Sequence, residues 1–399
     1  MVETVGRAAT LADLERAARR RLPRLAYDFV AGGSGEELTL RRNRAAFERV
    51  ELSPRQLVDV SVRDQSTTVL GEGLATPVLI APTGMARIAG RGGDLAGVRA
   101  AGAAGTVFTL SAMSNSSLEQ AAAAASGPLW FQLYLSRDRD LVEATVERAR
   151  RAGYRALVVT TDVPVVGRRA RDLRNGFSLP VKPRPGALLD VFSHPRWLAA
   201  QWPPPTFANY VGTGVALPRK TVAHARYLNE TLFNPGAGWE DLRRLRELWP
   251  GALLVKGVLA GAEAERAVEH GVDGIIVSNH GGRQLDGAPA TLAVLAEVVA
   301  AVAGRAEVLL DGGVRSGADV VAAVALGARA CLVGRPWLYG LAAGGEAGVA
   351  AMFAILRAEI DVTLALLGRP RLGEVDRDAL RAGGDTVGSD RRSPAGPRL

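Results

Sequence analysis

Eight short apolar runs punctuate the chain: Pro77–Ala81, Thr106–Leu110, Trp130–Leu135, Ala156–Thr161, Leu253–Lys256, Gly274–Ser278, Glu307–Leu310 and Ala330–Val333. Most are nearly unbroken in Val, Ile, Leu or Phe, the pattern of parallel strands buried on both faces. Ala-rich segments with helical character lie between them, such as Asp94–Ala104, Asp140–Ala152, Ala262–His270 and Gly317–Leu326. These close at Gly105, Gly153, Gly271 and Gly327, each suited to a left-handed cap. Strand and helix alternate eight times, which predicts an α/β fold, a (β/α)8 TIM barrel. A doubly wound sheet rarely needs eight evenly spaced strands. Ahead of the barrel, Thr10 and Asp13 predict a capping box opening an amphipathic helix through Leu11, Leu14 and Ala18 that ends near Pro23.

One interval breaks the rhythm. The fourth and fifth strands start at Ala156 and Leu253, so a long excursion, placed at 177–240, leaves the barrel after strand four. In this fold such a loop leaves the C-terminal face, where active sites are built. The chain therefore divides into an N-terminal helical segment packing on the barrel (1–76), the barrel with its excursion (77–367) and a C-terminal tail (368–399).

Composition narrows the function. A hydrophobic share of 48% excludes a disordered chain. The single cysteine, Cys331, excludes a disulfide framework and a multi-cysteine metal site, and four histidines make a His-rich metal site unexpected. The net charge of +8 lies almost wholly between Val163 and Arg226. That local excess suggests one anionic surface or ligand and no nucleic acid. Acids and arginines near the N-terminus argue against an export signal, and no apolar run is long enough for a spanning helix.

Every strand stops on polar residues: Pro82-Thr83-Gly84, Ser111, Gln132 with Tyr134, Thr160 with Asp162, Lys256-Gly257, Ser278 through Arg283, Asp311-Gly312-Gly313 and Gly334-Arg335. The last two endings read as a phosphate cradle, in which backbone N–H groups and Arg335 would hold the anion. Lys256 stands out in a chain with 46 Arg among 49 basic residues; a compact charge there suits a bound heterocycle. His280 suits a general base tuned by Asp162. Arg169 and Arg283 would grip a small carboxylate. His194, His224 and His270 read as structural or surface residues.

The run Ser278-Asn279-His280-Gly281-Gly282-Arg283-Gln284-Leu285-Asp286 resembles the signature of the FMN-dependent 2-hydroxy acid dehydrogenases and oxidases, and the likeness extends from about Leu11 to Leu367. The resemblance implies FMN at the barrel mouth. Pro82, Thr83 and Gly84 would pass the flavin edge, Ser111, Gln132, Thr160 and Ser278 would contact its ring, and Lys256 would sit near N1/O2. Gly312, Gly313, Gly334 and Arg335 would hold the phosphate, with Asp311 and Arg315 nearby. Substrate binding would fall to Tyr27, Arg169, Arg283, Tyr134, Gly84 and Met113. His280 would be the base, supported by Asp162, and would take a proton from the α-carbon or from the hydroxyl.

By the same likeness, Gly84 leans toward dehydrogenases, since oxygen-using members often carry alanine there. Val181–Tyr210 joins Lys182, Arg184, Arg196, Trp197, Trp202 and Phe207 to apolar Leu188, Leu189, Val191 and Phe192. Basic and tryptophan-bearing, it fits a membrane interface. It resembles the membrane-binding segment of the bacterial (S)-mandelate dehydrogenases, including His194-Pro195-Arg196-Trp197 and the later Trp239, Leu245 and Trp249. A lid or a subunit contact is the competing reading. The expected protein is a cytoplasmic homo-oligomer, a tetramer by preference, peripheral on the inner face of the cell membrane. It would pass electrons from a mandelate-like or lactate-like acid to quinone. The alternatives are a soluble oxidase making hydrogen peroxide and a non-catalytic, membrane-recruited flavin module.

Overall fold

The computed structural model describes residues 6–177, 185–204, 206–210 and 231–381. Two strands that the sequence pattern does not predict come first, β1 (Thr67–Val69) and β2 (Glu72–Leu74), an antiparallel hairpin inside the segment expected to be helical. Its turn carries Leu70 and Gly71, both at positive φ. That geometry usually announces itself through Asn-Gly or Asp-Gly, and Leu70 hides it.

The eight expected strands then follow within two residues of their expected bounds: β3 (Val78–Ile80), β4 (Phe108–Ser111), β5 (Leu129–Tyr134), β6 (Ala156–Thr160), β7 (Ala252–Val258), β8 (Gly274–Val277), β9 (Glu307–Asp311) and β10 (Cys331–Val333). They close into a parallel (β/α)8 barrel, with β10 paired to both β9 and β3. The four helices read from the sequence are present, each followed by its expected glycine at positive φ. The capping box forms as well: Asp13 accepts from the Thr10 backbone N–H at 2.9 Å.

The barrel interior shows why the site lies where it does. Leu79, Val107, Trp130, Ala156, Val158, Leu254, Ile276, Leu309 and Leu332 fill one apolar cluster, and Val69 and Leu74 of the hairpin close it from below. Side chains alternate along a strand, so the next inward position above each is two residues on. Those positions are Gln132 after Trp130, Thr160 after Val158, Lys256 after Leu254, Ser278 after Ile276 and Asp311 after Leu309. The same parity that packs the bottom with leucine thus raises a polar layer at the top. All five of those polar side chains are buried.

The N-terminal helices Arg24–Ala31 and Leu38–Glu48 are tied to the mouth. Asn43 and Asn279 exchange side-chain amide hydrogen bonds, both 2.8 Å, and Ser34 donates to the Arg283 carbonyl at 2.5 Å.

Candidate active site

The mouth encloses a cavity of about 560 Å³ whose lining includes Phe29, Pro82, Thr83, Gly84, Met113, Tyr134, Arg169, Lys256, His280, Arg283, Arg315 and Arg335. His280 Nδ1 lies 3.1 Å from Asp162 Oδ1. The backbone of His280 is in the left-handed region at φ +57, a strained placement for a side-chain-bearing residue. Ser278 Oγ accepts the His280 backbone N–H at 3.0 Å and helps hold it there. Burial pushes the Asp162 carboxyl up, but His280 and Lys256 outweigh burial and leave it below the usual carboxylate value. Gln284 fixes the same loop by donating to the Asp162 and Val165 carbonyls at 3.0 and 2.9 Å.

Lys256 is buried and faces Asp311 Oδ2 at 3.0 Å, and it donates to Ser278 Oγ at 2.8 Å. Burial alone would lower its pKa; Asp311 and Asp162 reverse this and raise it, so the ammonium is kept. Its strand carries a bulge between Lys256 and Val258. Gly257 makes the bulge feasible, since its φ is +115 and a Cβ there would lie 2.7 Å from the Asp162 Cβ. Asp311, expected near a phosphate, is thus the partner of Lys256. A carboxylate belongs beside a buried cation, not beside an anion.

Arg169 and Arg283 do meet in the cavity. Arg283 is half-buried, and desolvation together with Arg169 and Arg335 drives its pKa well down. Arg169 Nε reaches Asp172 at 3.0 Å, whose own carboxyl burial raises. Two guanidinium groups this crowded leave room for one more anion. Tyr134, the expected hydroxyl contact, stands in the same lining, and burial first, then Asp162, keeps its phenol protonated.

Tyr27 is a correction. Its hydroxyl donates to Glu15 at 3.0 Å and its ring stacks on Tyr339, so it does not line the cavity. Two residues on, Phe29 does. Positions i and i+2 of a helix lie about 200° apart, so one helix cannot aim both at the mouth. The apolar spacing Leu25, Ala26, Phe29 and Val30 carried that information.

The phosphate end also differs in detail. The Arg335 guanidinium donates to the carbonyls of Val30, Ala31, Gly281 and Gly32, at 2.8–3.2 Å, and so braces the N-terminal helix, with one N–H on each terminal nitrogen left over in the cavity wall. Arg315 lines the cavity with no ion pair among the described residues, its guanidinium over Tyr339. Arg44, which the sequence reading missed, bonds Asp319 at 2.7 Å and also the Gly313 carbonyl. The helices Gly317–Ala325 and Arg335–Gly344 start beside Gly313 and at Gly334 and aim their N-terminal dipoles here.

These residues fit FMN. Gln132 Nε2 and Thr83 Oγ1 are buried without a hydrogen-bond partner among the described residues, as donors awaiting a heterocycle's acceptors would be. Ser111 is less free, since its hydroxyl donates to Gln132 Oε1 at 3.0 Å. Thr160 and Ser278 complete the polar layer around Lys256.

The expected membrane segment divides. Lys182, Arg184, Pro205 and His224 lie outside the described residues. Trp249, at 1% exposure, and Leu245 are buried under the barrel helix Trp239–Leu248, and Trp239 lies against His270. Phe207 is buried and Trp197 donates to the Ile88 carbonyl at 2.7 Å. Leu189, Phe192 and Trp202 remain, exposed at 75%, 65% and 73%. No described helix is long and apolar enough to cross a membrane.

Gly84 also changes meaning. A Cβ there would come within 2.7 Å of the Met113 Cβ, so its glycine is already accounted for by packing.

Comparison with known proteins establishes the family. The FMN-dependent dehydrogenase family matches residues 18–382. The L-lactate oxidase of Nostoc sp. is 45% identical over 377 residues, 93% of this chain and 97% of that protein. The (S)-mandelate dehydrogenase of Pseudomonas putida is 43% identical over 376 residues, 94% of each. The crystal structure of the monotopic membrane protein (S)-mandelate dehydrogenase superposes with a TM-score of 0.90 at 41% identity, covering 94% of this chain and all (100%) of that one. The chain belongs to the FMN-dependent 2-hydroxy acid dehydrogenase and oxidase family.

Proposed function

We propose that the enzyme oxidises an (S)-2-hydroxy acid with a mandelate-sized apolar side chain to the 2-oxo acid and delivers the electrons to a membrane quinone. One observation carries the reading: His280, backed by Asp162, and the Arg169–Arg283 pair line the same cavity. The two guanidinium groups bind the carboxylate and fix the neighbouring carbon against His280. With Nδ1 engaged by Asp162, Nε2 is the nitrogen left to take the substrate's proton, and Asp162 stabilises the imidazolium so formed. Tyr134, kept protonated by burial, donates to the substrate hydroxyl.

Pro82, Thr83, Gly84, Ser111, Gln132, Thr160, Lys256 and Ser278 would hold the FMN ring, and Gly312, Gly313, Arg315, Gly334 and Arg335 its phosphate. Bound there, FMN supplies the two-electron oxidant. Lys256, its charge held by Asp311, offers a cation to the ring. Met113, Val163, Val166, Leu173, Phe177 and Phe233 line the cavity with apolar surface, which favours a phenyl group over the methyl of lactate. Leu189, Phe192 and Trp202 form the apolar part of the membrane contact.

The test is anaerobic bleaching of the bound flavin by (S)-mandelate, (S)-lactate and glycolate, with mandelate expected fastest; no bleaching by any of them defeats the reading. Vesicle flotation of Leu189→Ser/Phe192→Ser/Trp202→Ser should show loss of membrane binding, and an unchanged floated fraction rejects the contact. A second reading, an oxidase using oxygen, is favoured by the 45% identity to an L-lactate oxidase. Rapid reoxidation by oxygen with stoichiometric peroxide would establish it.

A further inference from the structure

Arg169 and Arg283 repel each other, and Asp172, whose charge acts on both, contacts only Arg169 directly. Both stand over a single ring, Phe29, with Cζ to centroid distances of 5.4 and 5.1 Å. Arg283 NH1 also donates to the Phe29 carbonyl at 2.7 Å and to that of Gly32 at 2.9 Å. The ring itself is braced by Phe177, 4.7 Å between centroids. No hydroxyl from this helix enters the cavity, because Tyr27 is turned to Glu15.

We propose that Phe29 is a positioning residue for acid recognition: its ring face and its carbonyl hold the two guanidinium groups side by side, so the substrate carboxylate is gripped by arginine alone. The inference rests on the 2-hydroxy acid reading of the site. Its physical basis is the aromatic quadrupole, whose negative face attracts a cation without supplying a full negative charge. A carboxylate in the same place would neutralise the arginines and compete with the substrate. An aliphatic side chain would fill the volume but leave the repulsion in force.

The test uses the FMN-loaded enzyme and two probes that it cannot oxidise, phenylacetate and the neutral phenylacetamide, titrated through the flavin absorption band. Phe29→Leu should weaken phenylacetate roughly ten-fold, the loss of two partly buried cation–π contacts, and leave phenylacetamide within about two-fold. Phe29→Met serves the same purpose should leucine impair folding. Phe29→Tyr keeps the ring face and should hold or tighten phenylacetate. In turnover the Leu variant should raise KM by the same factor with kcat little changed. The proposal is overturned if Phe29→Leu binds phenylacetate like the unaltered enzyme, if acid and amide weaken together, or if Phe29→Tyr loses acid affinity as Phe29→Leu does. Should the unaltered enzyme fail to oxidise any 2-hydroxy acid, the functional reading falls instead, and the acid–amide contrast still decides the role of Phe29.

Discussion

Lys256 and His280 each face a carboxylate across the barrel mouth at nearly the same distance, 3.0 Å to Asp311 and 3.1 Å to Asp162. Their surroundings differ. Side-chain exposure is 4% and 7% in the first pair, 24% and 13% in the second. Lys256 and Asp311 reach the cavity wall but are almost wholly buried against the leucine-filled interior, so the pair fixes a charge in place. His280 is the more exposed base, standing in the cavity wall on a strained backbone with Asp162 behind it. Equal geometry therefore produces a fixed field at one strand end and a group able to exchange a proton at another.

The comparison breaks most visibly at the histidine. His280→Asn should keep FMN yet lower the rate of substrate bleaching by about 10²–10⁴-fold, measured by anaerobic stopped flow. Bleaching at the original rate would remove His280 as the base. The buried pair predicts a stability defect instead: Lys256→Met strands the Asp311 carboxylate and should cost about 3–5 kcal/mol in urea unfolding, much of it restored by adding Asp311→Leu. If the single change leaves stability untouched, the pair is not the buried unit described.

A third buried carboxylate sharpens the contrast because no cation pairs with it among the described residues. Burial pushes the Asp94 carboxyl up from 3.8 to about 6, against hydrogen bonds from Ser114, Asn115 and Ser116. A raised carboxyl favours the folded state while it is protonated, and that advantage is lost as pH rises from 3.8 through about 6. Unfolding across this window should show the unaltered protein losing about 3 kcal/mol relative to Asp94→Asn. For Asp162 the sign is opposite: its depressed carboxyl contributes above the ordinary value and loses that contribution only as pH falls through the lowered one. Gly84→Ala should have the smallest effect, about 1–3 kcal/mol of overpacking against Met113, and Met113→Ala should relieve it. Persistence of the defect in the double variant would point to the flavin edge instead.

Much of this architecture is legible along the chain because strand parity is local. An apolar run that ends in Gln132, Lys256 or Asp311 states both which face is inside and where the polar layer starts. The hairpin was not legible, since its two three-residue strands are held by the barrel floor and its turn carries Leu70 where a turn residue is expected. Trp249 illustrates the converse: an aromatic beside arginines suggests an interface by composition, and only packing shows it buried.

The sequence by itself determined the eightfold alternation and the polar strand ends, and it singled out His280, Asp162, Arg169 and Arg283, which the structure gathers at one mouth; all of this follows from periodicity and residue chemistry. Tertiary structure alone decided that Asp311 serves Lys256, that Arg335 also braces backbone carbonyls, and that Phe29 and not Tyr27 reaches the cavity. Each of those depends on which side chain meets a group more than fifty residues away or on the far side of its own helix, and such meetings are set by how the elements pack.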